Sequence, residues 1–233
     1  MLRTFFIVLV FVRLVSASCQ PNLNATVQTF TFSGGSRVDA ILELGKQTNI
    51  CFGLRNLPRS AFVEPASFRL KNQTARLIID KIFDGERVDI KQMPEGLVYV
   101  SRPSKVSSLF DYKIAEFDIG RATLQTTSLG LKNRLVLQFV PGTQGIAGSY
   151  YSGDQTDLIG PFQEYQKTIT ELLTLIVSAS KGATWISAIP DSAAVLPRTE
   201  NLWVVIEYNR SMRDYRSLTE QIARNFPASE EPK

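Results

Sequence analysis

SRVDAILELGKQTNICFGLR (residues 36–55) is the stretch whose reading decides the fold, because a short amphipathic helix runs in it straight into an apolar strand. Val38, Ile41, Leu42 and Leu44 recur at helical spacing and leave Arg37, Glu43 and Lys46 to water. Ser36 stands three residues before Asp39, so the pair can close a capping box at the start of the helix, where an acid also suits the dipole. Asn49 ends the helix. Ile50, Cys51 and Phe52 then open a strand with no polar alternation, the pattern of a strand covered on both faces.

Working outward, VQTFTFS (27–33) alternates Phe30 and Phe32 with threonines, a half-buried strand that Gly34 and Gly35 break. Downstream, LPRSAFVEPA (57–66) reads as a connector and SFRLKN (67–72) as a strand. Asn72 is the expected N-cap of a second helix, whose apolar positions are Ala75, Ile78, Ile79, Ile82 and Phe83, with Gly85 as its stop. RVDIKQM and GLVYVS flank Pro94-Glu95-Gly96 as a hairpin.

The same grammar returns after a proline- and serine-bearing linker at 103–110. DYKIAEFDI (111–119) is an expected strand, RATLQTTSLGLKNRL (121–135) a helix, and VLQFV (136–140) a strand. Residues 142–162 are irregular and rich in Gly, Ser and Tyr. Thr168 to Glu171 form a second capping box, opening a helix through Leu172, Leu173, Ile176 and Val177 that ends near Gly182. ATWISAI and LWVVIEYN follow as strands, and a polar tail covers 210–233. The order of elements thus occurs twice, which predicts an α+β protein of two tandem small βαββα-like modules, 19–102 and 111–209, with helices packed on short sheets.

Residues 1–18 carry an early basic residue, an apolar run and small residues at Ser16, Ala17 and Ser18, the layout of a secretory signal peptide, although Arg13 also allows an uncleaved anchor. No later segment has the length and apolarity of a membrane span. The formal charge of +4, smaller without Arg3 and Arg13, gives no footprint for nucleic acid. Cys19 and Cys51 are the two cysteines. Export permits a disulfide between them, worth up to roughly 3 kcal/mol in the chain-entropy model. A lipid on Cys19 and two free thiols are the competing uses, and they exclude the bridge.

The sequence contains no histidine, which removes the usual general base and most zinc sites. Asp154 with Asp157 and Glu116 with Asp118 read as solvated charges, and no cofactor motif occurs. Tyr150, Tyr151, Phe162 and Tyr165, with Asp154 and Asp157 between them, make the irregular stretch a candidate partner-binding loop, or else lids on the second core.

Residues 27–101 resemble the secretin and TonB short N-terminal domain. The resemblance rests on Phe30 and Phe32 in the first strand, on Ala40, Leu44, Gln47 and Thr48 in the helix, on Ile50 and Phe52 in the next strand, and on Leu77 to Phe83 in the second helix. The second half looks like a diverged copy. The resemblance implies a periplasmic or secreted protein, or one associated with the outer membrane, that docks another envelope protein without catalysing a reaction. No barrel or secretin core follows the module, so pore and receptor functions do not carry over. The alternative is a ligand-binding lipoprotein tethered to the membrane through Cys19 and holding a glycan or peptide.

Overall fold

The first strand, β1 (Thr26–Ser33), buries Phe30 and Phe32 and turns its threonines outward, as its alternation requires. At Gly35, with φ +137°, a Cβ would lie 2.8 Å from the Phe32 ring, so only glycine lets the chain turn against that side chain. Helix α1 (Arg37–Thr48) then starts with a closed capping box: Asp39 N donates to Ser36 Oγ at 3.1 Å, and Ser36 N to Asp39 Oδ2 at 2.6 Å. Asn49 ends it in the left-handed conformation, φ 57°. Strand β2 (Cys51–Arg55) follows, with all five residues buried. The computed structural model describes residues 22–103, 109–139, 158–180, 183–187 and 204–208.

The connector at 57–66 holds a one-turn helix, α2 (Ser60–Val63). Strand β3 (Ser67–Thr74) pairs antiparallel with β1, setting Phe30 opposite Leu70 and Phe32 opposite Phe68. It passes into α3 (Ala75–Ile82) without a loop. Thr74, not Asn72, is the N-cap: Leu77 N donates to Thr74 Oγ1 at 3.2 Å, while Asn72 sits inside the strand with φ 52°. The strand therefore continues two residues past the expected boundary, and Asn72 supplies a left-handed kink there. Strands β4 (Asp89–Gln92) and β5 (Leu97–Ser101) form the expected hairpin.

The second half opens with a 3-10 turn, Leu109–Asp111, that buries Phe110. Strand β6 (Lys113–Ile119) leads through β7 (Ala122–Thr123) to α4 (Leu124–Phe139). The expected strand at 136–140 is not seen as far as Phe139, because α4 continues through Val136, Leu137 and Gln138. Strands β8 (Leu158–Ile159) and β9 (Phe162–Thr168) return antiparallel along β7 and β6. Helix α5 (Ile169–Ala179), β10 (Ala183–Ser187) and β11 (Val204–Tyr208) complete the described elements.

Several features of β1, α1, β3 and α3 recur in β6, α4, β9 and α5, although among the described residues α4 is followed by no counterpart of β2. Phe30 and Phe117 are the buried aromatics of β1 and β6. Ser36 and Thr123 cap the helices that follow, Thr126 N donating to Thr123 Oγ1 at 3.2 Å. Asn72 and Gln166 adopt positive φ two residues before Thr74 and Thr168, which both end a strand and cap a helix. Ala75, Ile78, Ile79, Ile82 and Phe83 in the first half correspond to Ile169, Leu172, Leu173, Ile176 and Val177 in the second, all buried.

The class is α+β, but the halves do not hold separate sheets. One five-stranded sheet in the order β11-β10-β2-β5-β4 draws strands from both, with β10 parallel to β2. One face, bearing Phe52, Leu54, Val98, Val100 and Ile186, packs on the core of α1 and α3. The other, bearing Cys51, Leu97, Ala183 and Trp185, packs on α5 and α4. A strand that must be apolar on both faces cannot stay within a two-layer module, and the second half provides its other cover.

Candidate functional site

The densest polar arrangement lies where the two halves meet. Arg55 ends β2 with its side chain 9 % exposed. Its Nη1 and Nη2 donate to Asp111 Oδ1 and Oδ2 at 2.8 and 2.9 Å, a bidentate pair. Nη1 also donates to Thr170 Oγ1 at 3.2 Å, and Thr170 Oγ1 donates to the Phe110 carbonyl at 3.1 Å. The guanidinium carbon stands 5.4 Å from the Phe110 ring centre. Phe110 stacks in turn on Trp185 at 6.3 Å and 19°, with Tyr99 tilted against the indole at 5.9 Å. Trp185 lies across the backbone of Gly53, where a Cβ would fall 2.7 Å from the indole Nε1. Arg55 is thus directed at protein groups from the second half, and the cluster acts as a clasp between β2, the 3-10 turn and α5.

Of the residues marked from sequence, Tyr150, Tyr151, Asp154, Asp157 and Cys19 lie outside the described residues. Phe162 is not an exposed loop anchor: it opens β9, is buried, and packs on Phe117 with ring centres 6.3 Å apart. Its alternation in β9 turns it inward while Tyr165 faces out. Tyr165 is 55 % exposed, sits opposite Glu116 of β6, and accepts a hydrogen bond from Gln163 Nε2 at 3.2 Å. Glu116 and Asp118 are exposed along β6. Cys51 is buried in the second core and disulfide-bonded. Trp185 is fully buried, as an indole in a strand should be.

Two further features bear on docking. The edge strand β4 is guarded: Arg76 Nη1 of α3 donates to the Ile90 carbonyl at 3.1 Å, and Asp89 and Lys91 stand exposed beside it. By contrast β1–β3 and β6–β9 are two-stranded ribbons that pair with no further strand among the described residues. At the start of α5 the Glu171 carboxyl titrates below its ordinary range, chiefly because the Thr168 amide donates to it at 2.6 Å, against the opposing pull of burial. Among the described residues no group of three or more His, Cys, Asp or Glu side chains could hold a metal ion.

Sequence reasoning overlooked Arg55 and Asp111. The available signal was a charged residue closing an otherwise apolar run, which needs a partner when the strand is buried.

The architecture defines an α+β protein whose five-stranded sheet draws strands from both halves of the chain. Compared with protein-family models, curated proteins and solved structures, the chain matches none.

Proposed function

We propose that this chain is an exported cell-envelope protein that docks another envelope protein by strand addition, without chemistry of its own, in the manner of the periplasmic modules its first half resembles. The β6–β9 ribbon carries the reading. It stands outside the five-stranded sheet, offers strand edges without a neighbour among the described residues, and displays an exposed tyrosine on β9. Backbone groups along such an edge can receive an extended partner segment, and an aromatic side chain beside it supplies an anchor of low entropic cost. The guarded β4 edge sharpens the contrast, since the ribbon has no such guard among the described residues. Among the described residues no helix is long and apolar enough to cross a membrane.

The leader-like residues 1–18 and the disulfide at Cys51 both favour an oxidising compartment such as the periplasm or the exterior. The chain has one other cysteine, Cys19, so the disulfide also favours the untethered form over a lipoprotein, in which Cys19 would carry acyl chains. Intact-mass measurement under non-reducing conditions separates the two, because a diacylglycerol adduct would defeat the untethered form.

The docking reading is tested by placing a photo-reactive residue at position 165 or at position 91 and irradiating the full chain in envelope extracts. A discrete cross-linked partner from 165 and none from 91 is the expected result. A chain that captures nothing from 165, or the same set of proteins from both positions, defeats the proposal.

A further inference from the structure

Buried polar atoms without a hydrogen-bond partner are distributed unevenly among the described residues. In the second half they are the hydroxyls of Thr127 in α4 and of Thr174 and Ser178 in α5, together with the Trp185 indole Nε1 in β10. Thr127, Thr174 and Trp185 are wholly shielded from water, and Ser178 is 5 % exposed. In the first half they are Arg59 Nε and Glu95 Oε2 on half-exposed side chains, and Oδ1 of the buried Asp39, whose other carboxylate oxygen accepts from Ser36. The cores differ in the same sense. Beneath α1 and α3 the packing is aliphatic and aromatic, with the buried Ser36 and Asp39 bonded to one another in the capping box. Beneath α5 it is bordered by Thr127, Ser128, Thr174 and Ser178, all buried. Each unpaired polar atom forfeits in the closed state a hydrogen bond that water would return on opening.

The seam itself is narrow. Strand β10 meets β2 over three residue pairs, Thr184 with Phe52, Trp185 with Gly53 and Ile186 with Leu54. The side-chain clasp beside it depends on Asp111, which is half exposed and therefore within reach of water when Arg55 lets go.

From this asymmetry we infer that the chain has a built-in joint: β10 and α5 lift away from β2 as one unit while β1, α1, β3 and α3 stay folded. Lifting bares the backbone edge of β2 from Cys51 to Arg55, because in the sheet order β11-β10-β2-β5-β4 only β10 covers that side of β2. It also returns the Trp185 indole and the α5 hydroxyls to water. Local opening of this kind is a cooperative event below global unfolding, in contiguous units that often coincide with supersecondary motifs. In the closed state the β2 edge is covered by the protein's own β10. This inference concerns the free chain and does not depend on docking at the β6–β9 ribbon.

Native-state hydrogen exchange on the full, disulfide-intact chain, followed through low denaturant, tests it directly. Amides of 169–179 and 183–187 should exchange through an opening with small denaturant dependence, and those of 37–48 and 75–82 only through global unfolding. Asp111→Ala, which removes the clasp from the closed state, should speed exchange in the first set by at least roughly tenfold, as loss of hydrogen bonds to a charged group implies. A single free energy and a single denaturant slope shared by all four segments in the unmodified chain would overturn the joint. So would a first set whose exchange Asp111→Ala leaves unchanged, or earlier opening of 37–48 and 75–82.

Discussion

Thr174 shows how much a single atom can matter: its side chain is entirely buried and its hydroxyl has no partner. Replacing that hydroxyl by a methyl group of similar shape removes a desolvated donor without opening a cavity. Thr174→Val should therefore stabilise the chain by about 1 kcal/mol in urea unfolding, and a destabilised variant would show that the hydroxyl is satisfied after all. Glu171 gives a pH signature. Its folded pKa lies below the ordinary value of 4.5, so its contribution is complete above that value and is lost as the pH falls through the lower folded one. Glu171→Gln keeps an acceptor for the Thr168 amide but does not titrate. Between about pH 5 and pH 3 the original chain should lose stability relative to this variant, and parallel pH curves would contradict the assignment. Caps of this kind were legible in the sequence because they are decided within four residues, as Ser36 with Asp39 and Thr168 with Glu171 show. Asn72 misled because a good capping residue can also serve as a left-handed kink, and which role it takes depends on where β1 stops pairing with β3.

At the scale of elements, the join between β2 and β10 depends on one small and one large residue facing each other, Gly53 and Trp185. A methyl group at position 53 would have to displace the indole, so Gly53→Ala should cost about 2 kcal/mol or more by overpacking, seen as a lower urea midpoint with an unchanged slope. The clasp predicts an asymmetry between its partners. Asp111→Ala leaves a guanidinium in a side chain 9 % exposed, whereas Arg55→Met leaves a carboxylate that is 50 % exposed and already wet. The loss at Asp111 should exceed the loss at Arg55, by about 1 kcal/mol once solvent screening of the outer partner is allowed for. Equal losses would mean that the arginine keeps enough partners, Thr170 and Phe110 among them, without Asp111. The two-faced burial of β2 could be read from its unbroken apolar run, but the identity of its cover could not, because β10 lies far along the chain and nothing local points to it. Strand β9 was also hidden. Its sequence FQEYQKT looks like solvent-facing loop, and its inward positions contribute to a core built by residues on other elements.

For the whole molecule, the likeness of β1, α1, β3 and α3 to β6, α4, β9 and α5 was legible because it is carried by hydrophobic spacing and caps. That the halves share a sheet follows only from how two such units shield one another. The disulfide at Cys51 acts at this scale too. The residue is buried on the face of the sheet covered by the second half, and the sequence offers Cys19 as its one possible partner within the chain. A loop of about 30 residues closed in the unfolded chain is worth roughly 3 kcal/mol on the entropic account. For a chain of this size each kcal/mol moves the midpoint by about 2–4 °C. Full reduction under denaturing conditions, followed by refolding in reductant, should therefore lower the Tm by roughly 6–12 °C, and Cys51→Ala should shift it by at least as much while abolishing the response to reductant. An oxidised and a reduced chain with the same midpoint would remove the bridge from the list of forces that hold the N-terminal region to the fold, and with it the main structural argument for an oxidising compartment.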